Sequence, residues 1–375
     1  MMKIRAAVLH EMNLPAPYAV SRPLKIEELE LDPPKRGEVL VQIKAAGLCH
    51  SDLSVINGDR PRPLPMALGH EAAGIVIEVG EGVTDLQKGD HVVCSFVPSC
   101  GHCLPCQEGR PALCEPGAKA NAEGTLLSGE RRIHLHGTDI HHHLGVSGFA
   151  EYAVIARNSL VKVDPEIPLD KVAIFGCAVM TGVGAVVNTA RVEPGSTVAI
   201  VGLGGVGLSA LLGSIVAGAG KIVAVDVNPY KLELAQKLGA THVYNSRDPE
   251  VVHHVRASTN GGVDYAFETA GVIQAMDIAY RITKRGGMTV TTGLPHPDHQ
   301  FSIPQVTLTV EERTIKGSYV GSCVPSRDIP RFIELYKQGR LPVDKILTDR
   351  LPLDQINEGF DRLARGEASR LVVVM

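Results

Sequence analysis

The chain has 375 residues, which at roughly 150 residues per domain suggests two domains with room for a sizeable core and excludes a peptide, a tail or a disulfide mini-scaffold. Its 44% hydrophobic and 21% charged residues fit a globular protein and neither a disordered nor a collagenous one. A net charge of −4, with no Lys/Arg cluster interleaved with aromatics, argues against nucleic-acid binding.

Residues 1–11 break their apolar run too early for a secretory signal, so the chain reads as intracellular and cytoplasmic. Up to about residue 100, period-two runs broken by Gly and Pro (Leu24–Leu31, 38–44 and 74–80) predict half-buried antiparallel strands. From about 195 to 320, strand-like runs at Thr197–Val201, 221–225 and 264–268 alternate with helical ones, which predicts βαβ units and a parallel sheet. A helical stretch at 329–338 and a closing strand at 370–374 look unlike another βαβ repeat and are expected to return to the first domain.

Eight cysteines occur, and four of them fall at Cys100, Cys103, Cys106 and Cys114 with turn-forming Gly and Pro between. Cys-x2-Cys pairs this close suit no disulfide framework in an intracellular chain, whereas four thiolates complete a tetrahedral structural zinc site. An iron–sulfur cluster takes the same ligands, but no redox partner motif accompanies these. Cys49, His70 and Cys177 would make a softer site of two thiolates and one imidazole with an open fourth position, as in a catalytic zinc. Their spacing alone leaves this open, because a lone buried cysteine is commonly a small core residue, the reading adopted for Cys94 and Cys323.

Residues 196–220 carry no charge, long enough to span a bilayer, yet they hold seven glycines. Among these, Gly202, Gly204, Gly205 and Gly207, with Leu203 and Val206 between, follow a β-branched run and precede a small-residue helical stretch at 208–217. A second strand ends at Asp226, 19 residues past Gly207 (226 − 207). Strand, Gly-x-Gly-x-x-Gly turn, helix and acid together make a dinucleotide fingerprint, and the acid favours NAD over NADP because it accepts from the ribose and repels a 2′-phosphate. No membrane is needed to explain the uncharged stretch.

Taken together, the residues at 47–52, Gly69-His70-Glu71, the four-cysteine lobe, Cys177, the Gly-rich turn and Arg370 resemble the zinc-containing, NAD-dependent alcohol dehydrogenases of the medium-chain dehydrogenase/reductase superfamily, along essentially the whole chain. The resemblance implies an α/β fold: a GroES-like β-barrel catalytic domain (1–178) with a structural zinc lobe, a Rossmann doubly wound parallel-sheet domain (179–320) and a C-terminal return (321–375). It implies two zinc ions per chain, with Cys49, His70 and Cys177 holding the catalytic one, Asp52 orienting His70, and Glu71 beside the metal and able to coordinate it transiently. It places Ser51 on the substrate oxygen at the start of a proton relay, His50 and Arg370 on the cofactor pyrophosphate, Thr181 and Val206 on the nicotinamide, and Lys231 on the adenosine ribose. Around the substrate it sets Phe96, His143, Leu144 and Leu294, in a dry cleft where an alkoxide gives hydride to the nicotinamide.

The chain departs from the family where many relatives end the relay in a His five residues after the first zinc cysteine. Here that residue is Ser54, so the proton must leave through water or His50. Relatives carry a His-His-x-Leu-Gly stretch at 141–145, and the second departure is His143 at the x position, where an apolar or aromatic residue is common. The His-rich segment with His134, His136 and His141 to His143 is read as a solvated or packed loop in preference to an extra metal site. A glutathione-dependent formaldehyde dehydrogenase is the rival within the family, but residues 113–118 offer no Arg for a glutathione carboxylate. A non-catalytic nucleotide-binding structural protein is the rival of another class, and it would be expected to have lost zinc ligands. The resemblance further implies a small alcohol or aldehyde as partner and a homodimer formed by edge-to-edge pairing of Rossmann strands near 300–319.

Overall fold

In the computed structural model, which describes all 375 residues, the early strands pair antiparallel as the period-two runs predict, but Glu38–Gly47 is buried on both faces because strands and loops cover it from either side. Met2–Leu9, Leu24–Leu31, Ile133–Leu135, Thr138–His142 and Met66–Ala67 close into a barrel around Ile4, Val8, Leu29 and Ile133. A second sheet is centred on the ten-residue strand Glu38–Gly47. That strand pairs with Glu71–Val79 along its length, with Tyr152–Ala156 at its start and with the closing strand Leu371–Val374 at its far end, and its register with Glu71–Val79 shifts after Leu40 and Ile43. Phe149 and Phe360, in edge-to-face contact at 6.0 Å, anchor the core beneath.

Two compact units result, the first formed by Met1–Cys177, Val324–Ile333 and Leu347–Met375 and the second by Ala178–Cys323 and Glu334–Ile346. The last segment departs from the sequence reading, which assigned all of 321–375 to the first domain. Leu341, Val343 and Ile346 are fully buried in the second unit instead. A short apolar turn after a helix carries no periodicity that would tell which core it fills.

Within the second unit, six parallel strands run in the order His242–Asn245, Lys221–Asp226, Thr197–Val201, Val263–Glu268, Thr283–Thr291, Thr314–Gly317. Numbered within the unit this order is 3-2-1-4-5-6, the doubly wound order whose crevice opens beyond the C-terminal ends of the first and fourth strands. The uncharged stretch divides here into a strand, the glycine turn and the helix Gly205–Val216, which is apolar nearly all round and buried on most of its surface. Its two serines satisfy their hydroxyls on carbonyls one turn back, Ser209 on Gly205 at 2.7 Å and Ser214 on Ala210 at 2.8 Å. No single helix is long and apolar enough to cross a membrane.

The His-rich segment divides its histidines among separate partners. His134 lies between Asp32 and Asp139, whereas His142 is fully buried and accepts the Arg132 backbone N–H on Nε2 at 3.1 Å. Burial and the nearby arginines Arg132 and Arg131 push the His142 pKa down to about 3. Between pH 6.5 and 3 the unfolded chain therefore binds a proton that the folded chain refuses. The His142 contribution is complete above that window and declines as pH falls through it, by about 1.4 kcal/mol per pH unit. His142→Gln, which removes the titration, is expected to narrow its stability deficit against the parent between pH 7 and pH 5 in denaturant melts. A constant deficit would contradict this.

Candidate active site and metal centres

Strand Glu38–Gly47 ends with Gly47 opposite Glu71, and two residues later the chain turns into helix His50–Ile56. Cys49 is the N-cap of that helix in extended conformation, yet its side chain makes no capping bond, which leaves the sulfur for other work. His70 directly precedes strand Glu71–Val79. Cys177 follows the tight turn Ala173–Gly176, whose last carbonyl accepts the Phe96 N–H at 3.1 Å. Three segments far apart in sequence thus bring the ligand atoms of Cys49, His70 and Cys177 within 4.8 Å of one another, all buried.

Asp52, one turn into the helix and fully buried, accepts from His70 Nδ1 at 3.1 Å and from the Gly69 N–H at 3.2 Å. The neutral ring therefore carries its proton on Nδ1, and the buried Nε2 has no hydrogen-bond partner. Burial alone would depress the His70 pKa, but Asp52 and the Cys49 thiolate outweigh it and raise the value to about 10. A hydrogen bond from Cys177 holds the Cys49 thiol well below its ordinary range while Cys177 is pushed well above, so the pair shares one proton. A soft divalent cation would displace these protons, and two sulfurs with one orphaned imidazole nitrogen fit zinc with a fourth position open.

Around this nest, Phe96 stands edge-on to His70 with ring centroids 4.7 Å apart, and His143 does so at 5.6 Å. Leu144 is buried beside His143, at a positive φ of 54°. Glu71 Oε2 meets the guanidinium of buried Arg370, whose Nη1 also donates to Leu48 O at 2.9 Å. His50 and Ser51 open the helix, His50 exposed and Ser51 half-buried, and Ser54 Oγ donates back to His50 O at 2.8 Å.

A second cluster gathers Cys100, Cys103, Cys106 and Cys114 within the same 4.8 Å, and none of them is in a disulfide. Cys114 Sγ accepts the N–H groups of Cys100 at 3.2 Å and Gly117 at 3.3 Å, and Cys100 Sγ accepts that of Cys103 at 3.3 Å. The Cys106 N–H lowers the Cys103 pKa to about 7, whereas burial raises those of Cys106 and Cys114, so the four thiols differ in how readily they ionise. Leu104 and Leu113 nearby are 67% and 43% exposed, so the lobe has little apolar core of its own to hold it. Four sulfurs at this spacing fit a closed zinc site.

In the second unit, Gly202 has φ +98°, and a Cβ on Gly207 would stand 1.8 Å from Gly202 O, so neither position admits another residue. Gly204 caps helix Gly205–Val216 without a side chain, which leaves the first N–H groups of that helix open to an anion. Asp226 Oδ2 accepts the Leu203 N–H at 2.6 Å and Oδ1 the Asn228 N–H at 2.9 Å, which fixes the acid at the end of the second strand. Gly205 is buried, Val206 half-buried and Lys231 buried on helix Pro229–Leu238, with Thr181 half-buried on helix Ala178–Gly184. Leu294 is 42% exposed in this same unit, on the loop beside Gly271.

Comparison with known proteins agrees with this geometry. Residues 35–165 match the alcohol dehydrogenase GroES-like domain, and residues 205–338 the zinc-binding dehydrogenase domain. The class-3 alcohol dehydrogenase of Drosophila melanogaster is 41% identical over 362 residues, 95% of each chain. The chain belongs to the zinc-binding alcohol dehydrogenases. The NDMA-dependent alcohol dehydrogenase of Amycolatopsis methanolica is 39% identical over 376 residues, covering 100% of this chain and 99% of that one. Among solved structures, benzyl alcohol dehydrogenase from Acinetobacter calcoaceticus superposes with a TM-score of 0.93 at 34% identity over the whole of both chains.

This zinc-binding dehydrogenase holds two contacts that the sequence did not disclose: Glu71 with Arg370, and His143 with Asp52, whose Oδ1 lies 3.1 Å from His143 Nδ1. The first joins residues 299 apart and no local pattern announces it. The second had one signal, a histidine in a position given to apolar or aromatic side chains.

Proposed function

We propose that the enzyme is an NAD-dependent alcohol dehydrogenase that interconverts a primary alcohol, aromatic or of medium chain length, and its aldehyde. The observation that carries this reading is the buried Cys49–His70–Cys177 nest, with Asp52 fixing the imidazole and Nε2 left without a partner. Zinc bound there would act as a Lewis acid that acidifies the alcohol, and the nicotinamide would accept the hydride.

The chain's own residues do the rest. Cys49, His70 and Cys177 hold the metal and Asp52 keeps His70 aligned, while Ser51 takes the alcohol proton and passes it outward. Phe96, His143 and Leu144 form an apolar wall with one polar break, and Leu294 is assigned to the same substrate by resemblance. The open N-terminus of helix Gly205–Val216, His50 and Arg370 would receive the pyrophosphate, Thr181 and Val206 the nicotinamide, and Asp226 and Lys231 the ribose.

The dimer reading is supported by the wholly exposed edge strand Thr314–Gly317 and by exposed Val306 and Val310 on the neighbouring helix Gln305–Val310. The family resemblance keeps a glutathione adduct of formaldehyde as the second reading, against which stands the lack of an Arg at 113–118.

The test is NADH formation across primary, secondary, benzylic and medium-chain alcohols, each with NAD and NADP, before and after a zinc-selective chelator. Chelator-sensitive turnover with NAD supports the proposal, and turnover confined to S-hydroxymethylglutathione would move it to the second reading. A smaller effect is expected at the relay. Ser54 has no pKa near 7, so Ser54→His should raise alcohol oxidation at pH 7 about threefold or more by supplying a proton acceptor. An unchanged rate would sink that idea.

A further inference from the structure

Asp52 is a buried carboxylate crowded on one side only. Its Oδ1 has the Gly69 N–H at 3.2 Å, His70 Nδ1 at 3.1 Å and His143 Nδ1 at 3.1 Å, whereas its Oδ2 is buried with no hydrogen-bond partner. His143 Nδ1 is likewise buried and, despite the 3.1 Å approach, off the axis of a hydrogen bond. Buried polar atoms left in this way are each costly, which favours a turn of the His143 ring that brings Nδ1 into line with the carboxylate it already approaches at 3.1 Å. The backbone beneath the ring is already fixed. Ser147 Oγ accepts the His143 N–H at 3.1 Å, and Leu144 and Ser147 are held at φ 54° and 52°, a conformation that persists only where the surroundings impose it.

We propose that His143 is a positioning residue that shares the Asp52 carboxylate with His70 and so limits how strongly Asp52 polarises the metal-binding imidazole. A carboxylate behind a ligating imidazole raises its basicity and tightens its hold on the metal. A second imidazole N–H on the same carboxylate draws part of that negative charge to itself. His70 is then a weaker donor, and the metal is held less tightly and is more electrophilic than Asp52 alone would make it. The inference rests on the proposed reading of Cys49, His70 and Cys177 as metal ligands.

The test measures release of zinc from the full-length holoenzyme to a chromogenic chelator. Cys49→Ser identifies the kinetic phase of this site as the one it lacks, and the lobe's own phase reports that the unit is folded. His143→Phe removes the donor and keeps a ring, and it should release zinc from the Cys49 site about threefold to tenfold more slowly, less than the effect of removing a direct partner of a ligand. His143→Asn, whose amide nitrogen takes the place of Nδ1, should release zinc within about twofold of the parent rate, since the donor is restored. A merely structural role predicts the opposite sign, because loosening the pocket speeds release. Equal or faster release from His143→Phe, or equally slow release from both variants, overturns the proposal. If Cys49→Ser loses no phase, the metal reading beneath it fails instead.

Discussion

Cys49→Ala is expected to lower turnover by about a thousandfold or more while the protein stays folded, because about 4–5 kcal/mol of transition-state charge stabilisation leaves with the metal. The folded state should survive for a local reason. Cys49 caps helix His50–Ile56 without a side-chain bond, so removing its sulfur breaks no cap and leaves only a small gap. Zinc content should fall from two ions per chain to one, and the thermal midpoint should move by only a few degrees. A variant that retains both ions and full turnover would show that Cys49 is a core thiol after all, the reading that sequence spacing could not dismiss.

Cys106→Ser should do the reverse, costing stability first and chemistry second. Four thiols stand within 4.8 Å in a lobe whose nearest leucines face solvent, so no apolar core takes over once the metal is gone. A structural zinc site contributes an apparent ~10–16 kcal/mol where folding is coupled to the metal. Here the rest of the unit folds around its own core, so the expected loss is about 4–5 kcal/mol, or roughly 10–15 °C in melting midpoint. Limited proteolysis should then cut between residues 100 and 114, and turnover per folded molecule should fall less than tenfold. Equal melting points for variant and parent would show that the lobe is held by packing, not by metal.

The two centres differ in legibility for a physical reason. Cys100, Cys103, Cys106 and Cys114 lie within fifteen residues, and a tetrahedral site made by one loop must show its spacing in the sequence. Gly202 to Gly207 with Asp226 were legible likewise, because the backbone near a pyrophosphate excludes side chains at fixed steps. Cys49, His70 and Cys177 are separated by 20 and 106 residues or more, and the residues alone left them ambiguous until a resemblance put them together.

By itself the sequence determined the strand alternation of the barrel, the βαβ order of the second unit, the four-cysteine cluster and the glycine turn, all of which are written in short-range period and spacing. Tertiary structure alone decided that Leu341, Val343 and Ile346 fill the second unit, that Arg370 is engaged by Glu71, and that His143 approaches the carboxylate holding His70. The Glu71–Arg370 contact depends on the register of strand Glu38–Gly47, which sets Glu71 and the strand after Arg370 on either side of Gly47, and the other two likewise join residues far apart in the chain. Pairings of that range leave no period for a single sequence to display.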